Sequence, residues 1–548
     1  MNEIFYIHSP KNPIDSTTSL ENMLSGICDL DEVSRVTVIR TDGKADLPSG
    51  LKQFQDHSSK ECICIKANQI DPSRWTGEES NDLLWADNLE TLIVNCNLNR
   101  ESTRRIFLLS TGNGWHSALI YYMFEIIEGE LWVRGIEGPA TRLDREKVDS
   151  TASEILAEIG NYILKNPGSF PTARELQGNE SVPSAKGIEN SLRAYSHLFD
   201  DKKSDFLQRK QELENQLKEG REEEEAILRE LSEIKRAQAE EKLYEPTELG
   251  KYNCHLQYAK RMRNSSDKQQ KGLIYLIRSN YNIDDVKEYL REHKTTYDKF
   301  TFISQGIGKA REENANVFFE EIIGLLGDRA VFINSDFEVN IDSSLDSGKI
   351  LTSSTNLIRI LQSIREADRS ISWSLDITKC LAVLRPATLQ YCHLSSIPMI
   401  YFTRVYSHDG SVHESGLSQD MHVLHIPTYE QIESILKIID SPNLEYAQFI
   451  ISIFDFSKEK PFPGKSLTVT TKKKQDWMDL YEFNQSFYAT DDYRRMKEKS
   501  DTAAYKQMKR HRDKAEDDQV ISGDDAAMNM SPTGGVVACI LKSTLRVN

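Results

Sequence analysis

A small polar segment, Ser110 to Gly114, has residue types suited to binding an anion. It stands between the apolar run IFLL and the apolar helical pattern WHSALIYYM. Glycine lets the backbone approach a phosphate closely, hydroxyl groups donate hydrogen bonds, and the first turn of the following helix offers backbone N–H groups. The pattern therefore predicts a ligand-binding loop, with these members: Ser110, Thr111, Gly112, Asn113, Gly114 and the nearby His116.

A second segment repeats this plan with different residues. The strand-like run SWSL leads to Asp376, Thr378 and Lys379, and a long apolar helical pattern follows. Two such units in one chain indicate an internal duplication. Polar residues also follow two other predicted strands and are expected to line the same edge: Ser9 and Asn12 after the first strand, and Ser304, Gln305 and Gly306 at the equivalent place in the second domain.

The elements that must position these residues alternate between strands and helices. Runs such as IFYI, RVTVIR and CICIK are separated by helical patterns, which predicts an α/β fold with mostly parallel sheets. Ligands of such sheets bind beyond the carboxyl ends of the strands, where the two polar segments would lie. We expect two Rossmann-like domains, at residues 1–165 and 295–455.

The rest of the chain is predicted to be mainly helical. Residues 166–200 read as a helix-turn-helix-like module or a structural spacer, with a small core of Ala173, Leu176, Ile188 and Leu192. Residues 201–294 read as a charged arm followed by a helical bridge. The apolar spacing of the arm suits a short coiled coil or a solvated helical hairpin, and its seam comprises Leu213, Leu217, Ile227, Leu231 and Ile234.

The last segment, residues 456–548, is highly charged and ends in the apolar run GGVVACILK. Its cations alternate with tyrosines, an arrangement that can grip nucleic acid through charge and stacking, although a solvated helix is the simpler interpretation. The candidate contacts are Arg494, Lys497, Lys506 and Arg510. The apolar end is expected to dock on a core or on a partner.

Composition narrows the class of protein. A net charge of −17 over 548 residues argues against broad nonspecific attraction to nucleic acid, since phosphate binding needs clustered cations. The eight cysteines have no zinc-binding spacing, which favours reduced thiols. No run approaches the ~20 apolar residues of a membrane span, and the first residues lack signal-peptide features. We expect a cytoplasmic protein with no membrane partner, no metal and no cofactor.

Other polar clusters were weighed for chemistry. The acidic run with Asp336, Glu338 and Asp342, followed by Lys349, resembles a metal-nuclease grouping but lacks a Glu-x-Lys element. Four histidines cluster in the sequence, but their spacing fits no zinc-binding pattern; they are His408, His413, His422 and His425. The glycines at 306 and 308 lack the third glycine of a dinucleotide-binding fingerprint. No catalytic residues are assigned, and enzymatic activity stays open.

Both strand-loop-helix segments resemble those of CARF domains, the Rossmann-like sensors of CRISPR-associated proteins. In that family a Thr-Gly-Gly-Thr-Lys-like loop binds a cyclic oligoadenylate. Thr111 and Gly112 match this pattern in the first copy, and Asp376, Thr378 and Lys379 match it in the second, where the glycines are missing. The helix-turn-helix-like segment is similar to the winged helices that commonly follow such sensors.

The resemblance implies a sensor of a nucleotide second messenger in prokaryotic antiviral defence, with a cyclic oligonucleotide as ligand and a regulated effector. We also expect a homo-oligomer. Two alternatives stay open at this point. One is a coiled-coil scaffold without a ligand, and the other is a metal-dependent nuclease acting through the acidic run near Asp336.

Overall fold

The computed structural model covers the 548-residue chain. It describes all residues except 9–15, 43, 68–69, 71–80, 97–103, 110–111, 135–139, 144, 177–183, 219–223, 240–243, 264–269, 279–285, 288, 292–293, 306–318, 335–346, 405–420, 427–428, 441–442, 444, 452–500, 525–526, 531 and 546–548.

The first six strands form sheet 1. They are β1 (Asn2–His8), β2 (Val33–Arg40), β3 (Glu61–Lys66), β4 (Arg104–Leu108), β5 (Glu130–Val133) and β6 (Thr141–Arg142). Their order across the sheet is β3-β2-β1-β4-β5-β6. The β1 strand runs parallel to β2 and to β4, and β6 is antiparallel to β5. Strands β7 (Phe199–Asp201) and β8 (Tyr244–Pro246) then form a separate antiparallel pair.

Sheet 2 repeats the strand order of sheet 1. Its strands are β9 (Gln270–Arg278), β10 (Lys299–Gln305), β11 (Ala330–Asn334), β12 (Ile371–Asp376), β13 (Met399–Arg404) and β14 (Met421–Ile426). They lie in the order β11-β10-β9-β12-β13-β14, again with the last strand antiparallel to its neighbour. Both sheets thus have the 3-2-1-4-5-6 order of a Rossmann-like domain, which confirms the predicted fold class. Strands β15 (Ile521–Asp524) and β16 (Ala527–Met530) form a final antiparallel pair.

The inner strands form because their residues suit burial on both faces. In β2, Val36, Val38 and Ile39 are buried, and in β9, Leu273 and Ile274 are fully buried. Runs of β-branched and other apolar residues are typical of parallel strands that helices cover on both sides.

Helices connect and cover the strands. In chain order they are α1 (Thr17–Leu24), α2 (Ser49–Ser58), α3 (Asn81–Cys96), α4 (Gly114–Ile127), α5 (Ser150–Lys165), α6 (Ala173–Leu176), α7 (Ala185–Ala194), α8 (Lys202–Lys218), α9 (Glu224–Ala239), α10 (Glu248–Arg261), α11 (Ser347–Ala367), α12 (Arg385–Leu394), α13 (Tyr429–Asp440), α14 (Asp501–Asp517) and α15 (Pro532–Leu545).

The chain divides into two compact units. The first comprises residues 1–131 and 398–548. In it α15 packs against α3 and α13, and its buried side chains are apolar: Val536, Val537, Ala538, Cys539, Ile540 and Leu541. The apolar end of the chain therefore docks on a core within its own unit, as the sequence allowed.

The second unit comprises residues 132–397 and is centred on α10, which packs against α5, α11 and α12. Much of this packing is polar. His255 and Gln362 are joined twice, by a 2.7 Å contact between their side chains and by a 2.7 Å hydrogen bond from the Gln362 amide to the His255 carbonyl. Tyr258 donates to Glu366, and Ser153 donates to Gln257. Burial lowers the pKa of His255 to about 4, so its ring is neutral near pH 7.

The charged arm is a helical hairpin within one chain. Helices α8 and α9 pack together through the buried cluster Leu213, Ile227, Leu231 and Ile234, with Leu217 partly buried beside it. Arg209 and Glu230 link the two helices at 2.7 Å. The apolar seam is thus covered inside the hairpin, which removes the main support for a coiled-coil scaffold, and the homo-oligomer stays a prediction.

Two other expectations differ from the structure. The predicted helical bridge contains β9, so sheet 2 begins at Gln270 and not near residue 295. This strand was not predicted because its apolar centre, LIYLI, is short and lies between the polar segments KQQKG and RSNYNID. Leu176, Ile188 and Leu192 do not form a small core of their own, because they join a larger cluster with Ile155 and Cys254.

Among the described residues, no helix combines the length and the apolar character needed to cross a bilayer.

The close packing of α5 on α10 yields a stability prediction. A Cβ at Gly160 would lie 2.8 Å from the carbonyl carbon of Cys254, and closer to its oxygen. We expect Gly160→Ala to lower the free energy of unfolding by about 2 kcal/mol, the usual effect of overpacking a tight contact. Gly324→Ala is the control, because a Cβ there meets nothing within 4 Å. Equal melting temperatures for the two variants would contradict the prediction.

Candidate functional site

Both sheets have a switch point, where the direction of the strand order reverses. In sheet 1, β1 lies between β2 and β4, with Tyr6 opposite Leu108. In sheet 2, β9 lies between β10 and β12, with Tyr275 opposite Asp376. Connections leave in opposite directions on the two sides of such a central strand, which opens a crevice at its carboxyl end. The two predicted polar segments follow β4 and β12, and they therefore start at the two switch points.

In sheet 1 the backbone turns sharply at Gly112. Its φ of +87° lies in the left-handed region, which glycine adopts without steric cost. A Cβ at this position would lie 2.8 Å from Cγ2 of Ile7, at the end of β1. The loop backbone is therefore seated directly on the central strand, and a side chain there would push it away.

Asn113 ends this turn and begins α4. Its side-chain oxygen accepts a 2.8 Å hydrogen bond from the backbone N–H of His116, and its carbonyl accepts from the Ser117 N–H and hydroxyl. This is an N-cap, and it fixes the direction in which the helix leaves the sheet. The N-terminal end of α4, with its partial positive charge, points to the carboxyl edge of sheet 1.

His116, a predicted ligand contact, is buried in the first turn of α4. Its side chain is 3% exposed and lies in a helix whose first four residues are all buried. The neighbouring Trp115 is also buried, and its indole N–H donates to Asn88 at 3.1 Å. His116 therefore lies inside the first unit, and its contact with a ligand stays a prediction.

One feature at the edge of sheet 1 was not predicted from the sequence. Arg40, the last residue of β2, makes a two-point ion pair with Asp42 and also donates to the carbonyl of Asp46. The hydrogen bonds from Arg40 lower the pKa of Asp42 to about 2. Next to this pair, Thr41 donates its N–H and its hydroxyl to the His8 carbonyl. The sequence pattern that could have indicated this ion pair is an arginine followed directly by Thr-Asp-Gly.

In sheet 2 the switch point holds a buried carboxylate. Asp376 is 2% exposed, and its Oδ1 accepts a 2.7 Å hydrogen bond from the backbone N–H of Thr378. Its Oδ2 is also buried and has no hydrogen-bond partner among the described residues. Burial raises the pKa of Asp376 to about 6, although hydrogen bonds from Thr378 and the charge of Lys379 act in the opposite direction.

The connection after β12 is longer than the one after β4. Thr378 and Lys379 are half-buried in a turn, and α12 begins only at Arg385. Arg385 donates to the Cys380 carbonyl at 2.9 Å and so holds the turn against the helix. The structure brings Asp376, Thr378 and Lys379 together at one sheet edge, as the sequence suggested, but without a glycine turn.

Ser304 and Gln305 do not occupy the place that the sequence analysis gave them. They lie in β10, the second strand of sheet 2, with Ser304 opposite Ile277 of β9 and Asn334 of β11. The expected equivalence with Ser9 and Asn12 was wrong, because those residues follow the first strand of sheet 1. In sheet 2 the corresponding position follows Arg278, the last residue of β9.

Several predicted residues lie outside the described part of the chain. They are Ser9, Asn12, Ser110, Thr111, Gly306, Asp336, Glu338, Asp342, His408, His413, Arg494 and Lys497. Of the C-terminal cations, Lys506 and Arg510 are exposed on α14. Within the described ranges, no group of three histidine, cysteine, aspartate or glutamate side chains is placed to hold a metal ion.

Comparison with protein-family models gives no match, and comparison with curated proteins gives none either. Among solved structures, a Type III CRISPR defence DNA nuclease activated by cyclic oligoadenylate aligns with a TM-score of 0.30 and 9% identity, over 73% of this chain and 65% of that one. Protein VC1899 from Vibrio cholerae aligns with a TM-score of 0.17 and 12% identity, over 66% of this chain and 98% of that one. These scores are too low to carry an inference about function.

The buried carboxylate of Asp376 yields a pH-dependent stability prediction. Its pKa is raised from 3.8 to about 6, so the folded state binds more protons than the unfolded state between these values. Stability should therefore fall as pH rises from about 4 to 6, by about 3 kcal/mol for this group alone. Asp376→Asn should raise the melting temperature at pH 7.5 and flatten its dependence on pH over this range.

Asp368→Asn is the matched control for this prediction, because Asp368 precedes the same strand at its other end. Hydrogen bonds from Ser370 and Lys299 help to lower the pKa of Asp368, so its ionised form is the favoured one. This variant should leave stability at pH 7.5 unchanged or slightly reduced. A lower melting temperature for Asp376→Asn than for the wild type at pH 7.5 would contradict the prediction.

Proposed function

We propose that this protein is a sensor of a cyclic oligonucleotide second messenger, with cyclic oligoadenylate as the ligand. The observation that carries the proposal is that the two sheets share one strand order. Because of this order, both predicted polar segments begin at a switch point. Switch points are where open α/β sheets bind nucleotides. The resemblance of both segments to CARF loops was noted from sequence alone, and this placement agrees with it.

The residues at the two edges suit a ligand made of phosphates and nucleosides. At sheet 1, Gly112 keeps side-chain bulk away from the backbone, and the N-terminus of α4 favours negative charge. At sheet 2, Lys379 supplies a cation and Thr378 a hydroxyl beside the buried Asp376. Backbone donors, one lysine and small hydroxyls can recognise phosphate without a large positive field, in keeping with the net charge of −17.

The second unit offers a route by which ligand binding would reach the hairpin α8–α9. Helix α11 leads directly into β12, and its Gln362 and Glu366 contact His255 and Tyr258 of α10. Helix α10 begins just after β8, and Thr247 at its N-cap donates to the Leu198 carbonyl beside β7. A shift of α11 would therefore be passed through α10 to the base of the hairpin. In a CARF-like sensor such a movement would regulate an effector in antiviral defence.

The function is tested by thermal melting and calorimetry of the full chain with cyclic and linear oligoadenylates, ATP and NAD. A ligand at one hundred times its Kd should add about 2.7 kcal/mol to the free energy of unfolding. We expect this increase in stability with cyclic oligoadenylate only. Lys379→Gln should weaken binding about tenfold, since it removes a charged contact to phosphate.

The control for this experiment is Lys349→Gln, which removes an exposed lysine of α11. It should bind as the wild type does. If the folded wild-type protein shows no shift with any cyclic oligoadenylate, the proposed function is wrong.

A further inference from the structure

The two switch points differ in one buried position. Asp376 stands two residues before Thr378, as Leu109 stands two residues before Thr111. Leu109 is 1% exposed and apolar, whereas Asp376 is equally buried and carries a carboxyl group. The duplicated domains therefore present different chemistry at corresponding places.

Among the described residues, a hydrogen-bond donor reaches only one oxygen of this carboxyl group. Oδ1 shapes the turn by accepting from the Thr378 N–H, but Oδ2 accepts no hydrogen bond from any described residue. Two tyrosines, Tyr289 and Tyr297, interact electrostatically with Asp376. Their pKa values are raised mainly by burial and partly by the negative charge of Asp376. Neither ring neutralises the carboxylate, and the Lys379 cation lowers its pKa less than burial raises it.

An unpartnered buried acceptor is costly, since such a group loses its water without gaining a bond in return. A bound ligand that donates a hydrogen bond would remove this cost. Donors on a nucleotide are the ribose hydroxyls and the base amino groups, whereas phosphate oxygens accept only and would be repelled by a carboxylate. Hydrogen bonds from a hydroxyl to a carboxylate are shorter than those from a nitrogen donor, and they are stronger than hydrogen bonds between two neutral groups.

We propose that Oδ2 of Asp376 accepts a hydrogen bond from a ribose 2′-hydroxyl of the bound nucleotide. This rests on the proposed function and adds to it the protein group that recognises a ribose of the ligand at sheet 2.

The test is a double-mutant cycle between protein and ligand, measured by calorimetry on the full chain. Cyclic oligoadenylate and its 2′-deoxy counterpart are titrated into the wild type, Asp376→Asn and the control Asp368→Asn. Loss of a hydrogen bond to a charged group should weaken binding about 10- to 100-fold. We expect this loss for the deoxy ring with the wild type and for the ribose ring with Asp376→Asn.

The decisive quantity is the discrimination between the two rings. If the 2′-hydroxyl and Oδ2 bond to each other, Asp376→Asn should bind both rings with similar affinity, while Asp368→Asn should discriminate as the wild type does. If Asp376→Asn weakens both rings equally and still discriminates, Asp376 only shapes the turn and the inference is wrong. If Asp376→Asn binds the ribose ring as tightly as the wild type does, it is also wrong, although the sensor function stands. No binding of either ring to the wild type overturns both proposals.

Discussion

The structure depends on the pairing of the first strand of each sheet with the fourth. In sheet 1 this pairing joins Asn2–Tyr6 to Arg104–Leu108, and in sheet 2 it joins residues 270–275 to 371–376. Because the second strand lies on the other side of the first, the loops after the first and fourth strands must diverge. The candidate ligand contacts in the two segments after β4 and β12, such as Gly112 and Lys379, take their positions from this arrangement.

Buried charge at the opposite end of sheet 1 helps to hold it. Glu3 is fully buried at the amino end of β1 and lies 3.4 Å from both Arg35 of β2 and Arg105 of β4. Arg35 also pairs with Glu61 of β3 at 2.8 Å. One carboxylate thus connects the central strand to both neighbours, and the network extends to the sheet edge. Such a network favours one strand register, because a slip would leave Glu3 buried without its partners.

The two units use different interactions for helices in similar positions. Helix α10 and helix α15 each follow a two-stranded antiparallel pair, β7–β8 and β15–β16. Helix α15 is held by apolar side chains, whereas α10 combines buried apolar side chains such as Cys254 and Leu256 with hydrogen bonds to α5 and α11. Apolar packing tolerates small slips, but each polar bond requires one geometry. The hydrogen bonds of α10 therefore help to specify the position of the helix beside the α8–α9 hairpin.

The sequence by itself determined the alternation of strands and helices, the duplication and the two polar segments, because these depend on local periodicity and on residue types such as Gly112 and Asp376. It did not determine which strand is central. The strand that contains Ser304 was predicted to be the first strand of its domain, because the pairing of β9 with β10 and β12 joins residues far apart in the chain. Only the tertiary structure decided that His116 is buried, that the Leu213 seam closes within a hairpin, and that Oδ2 of Asp376 has no hydrogen-bond partner among the described residues. Burial and hydrogen bonding are set by neighbours from several elements, which no local pattern records.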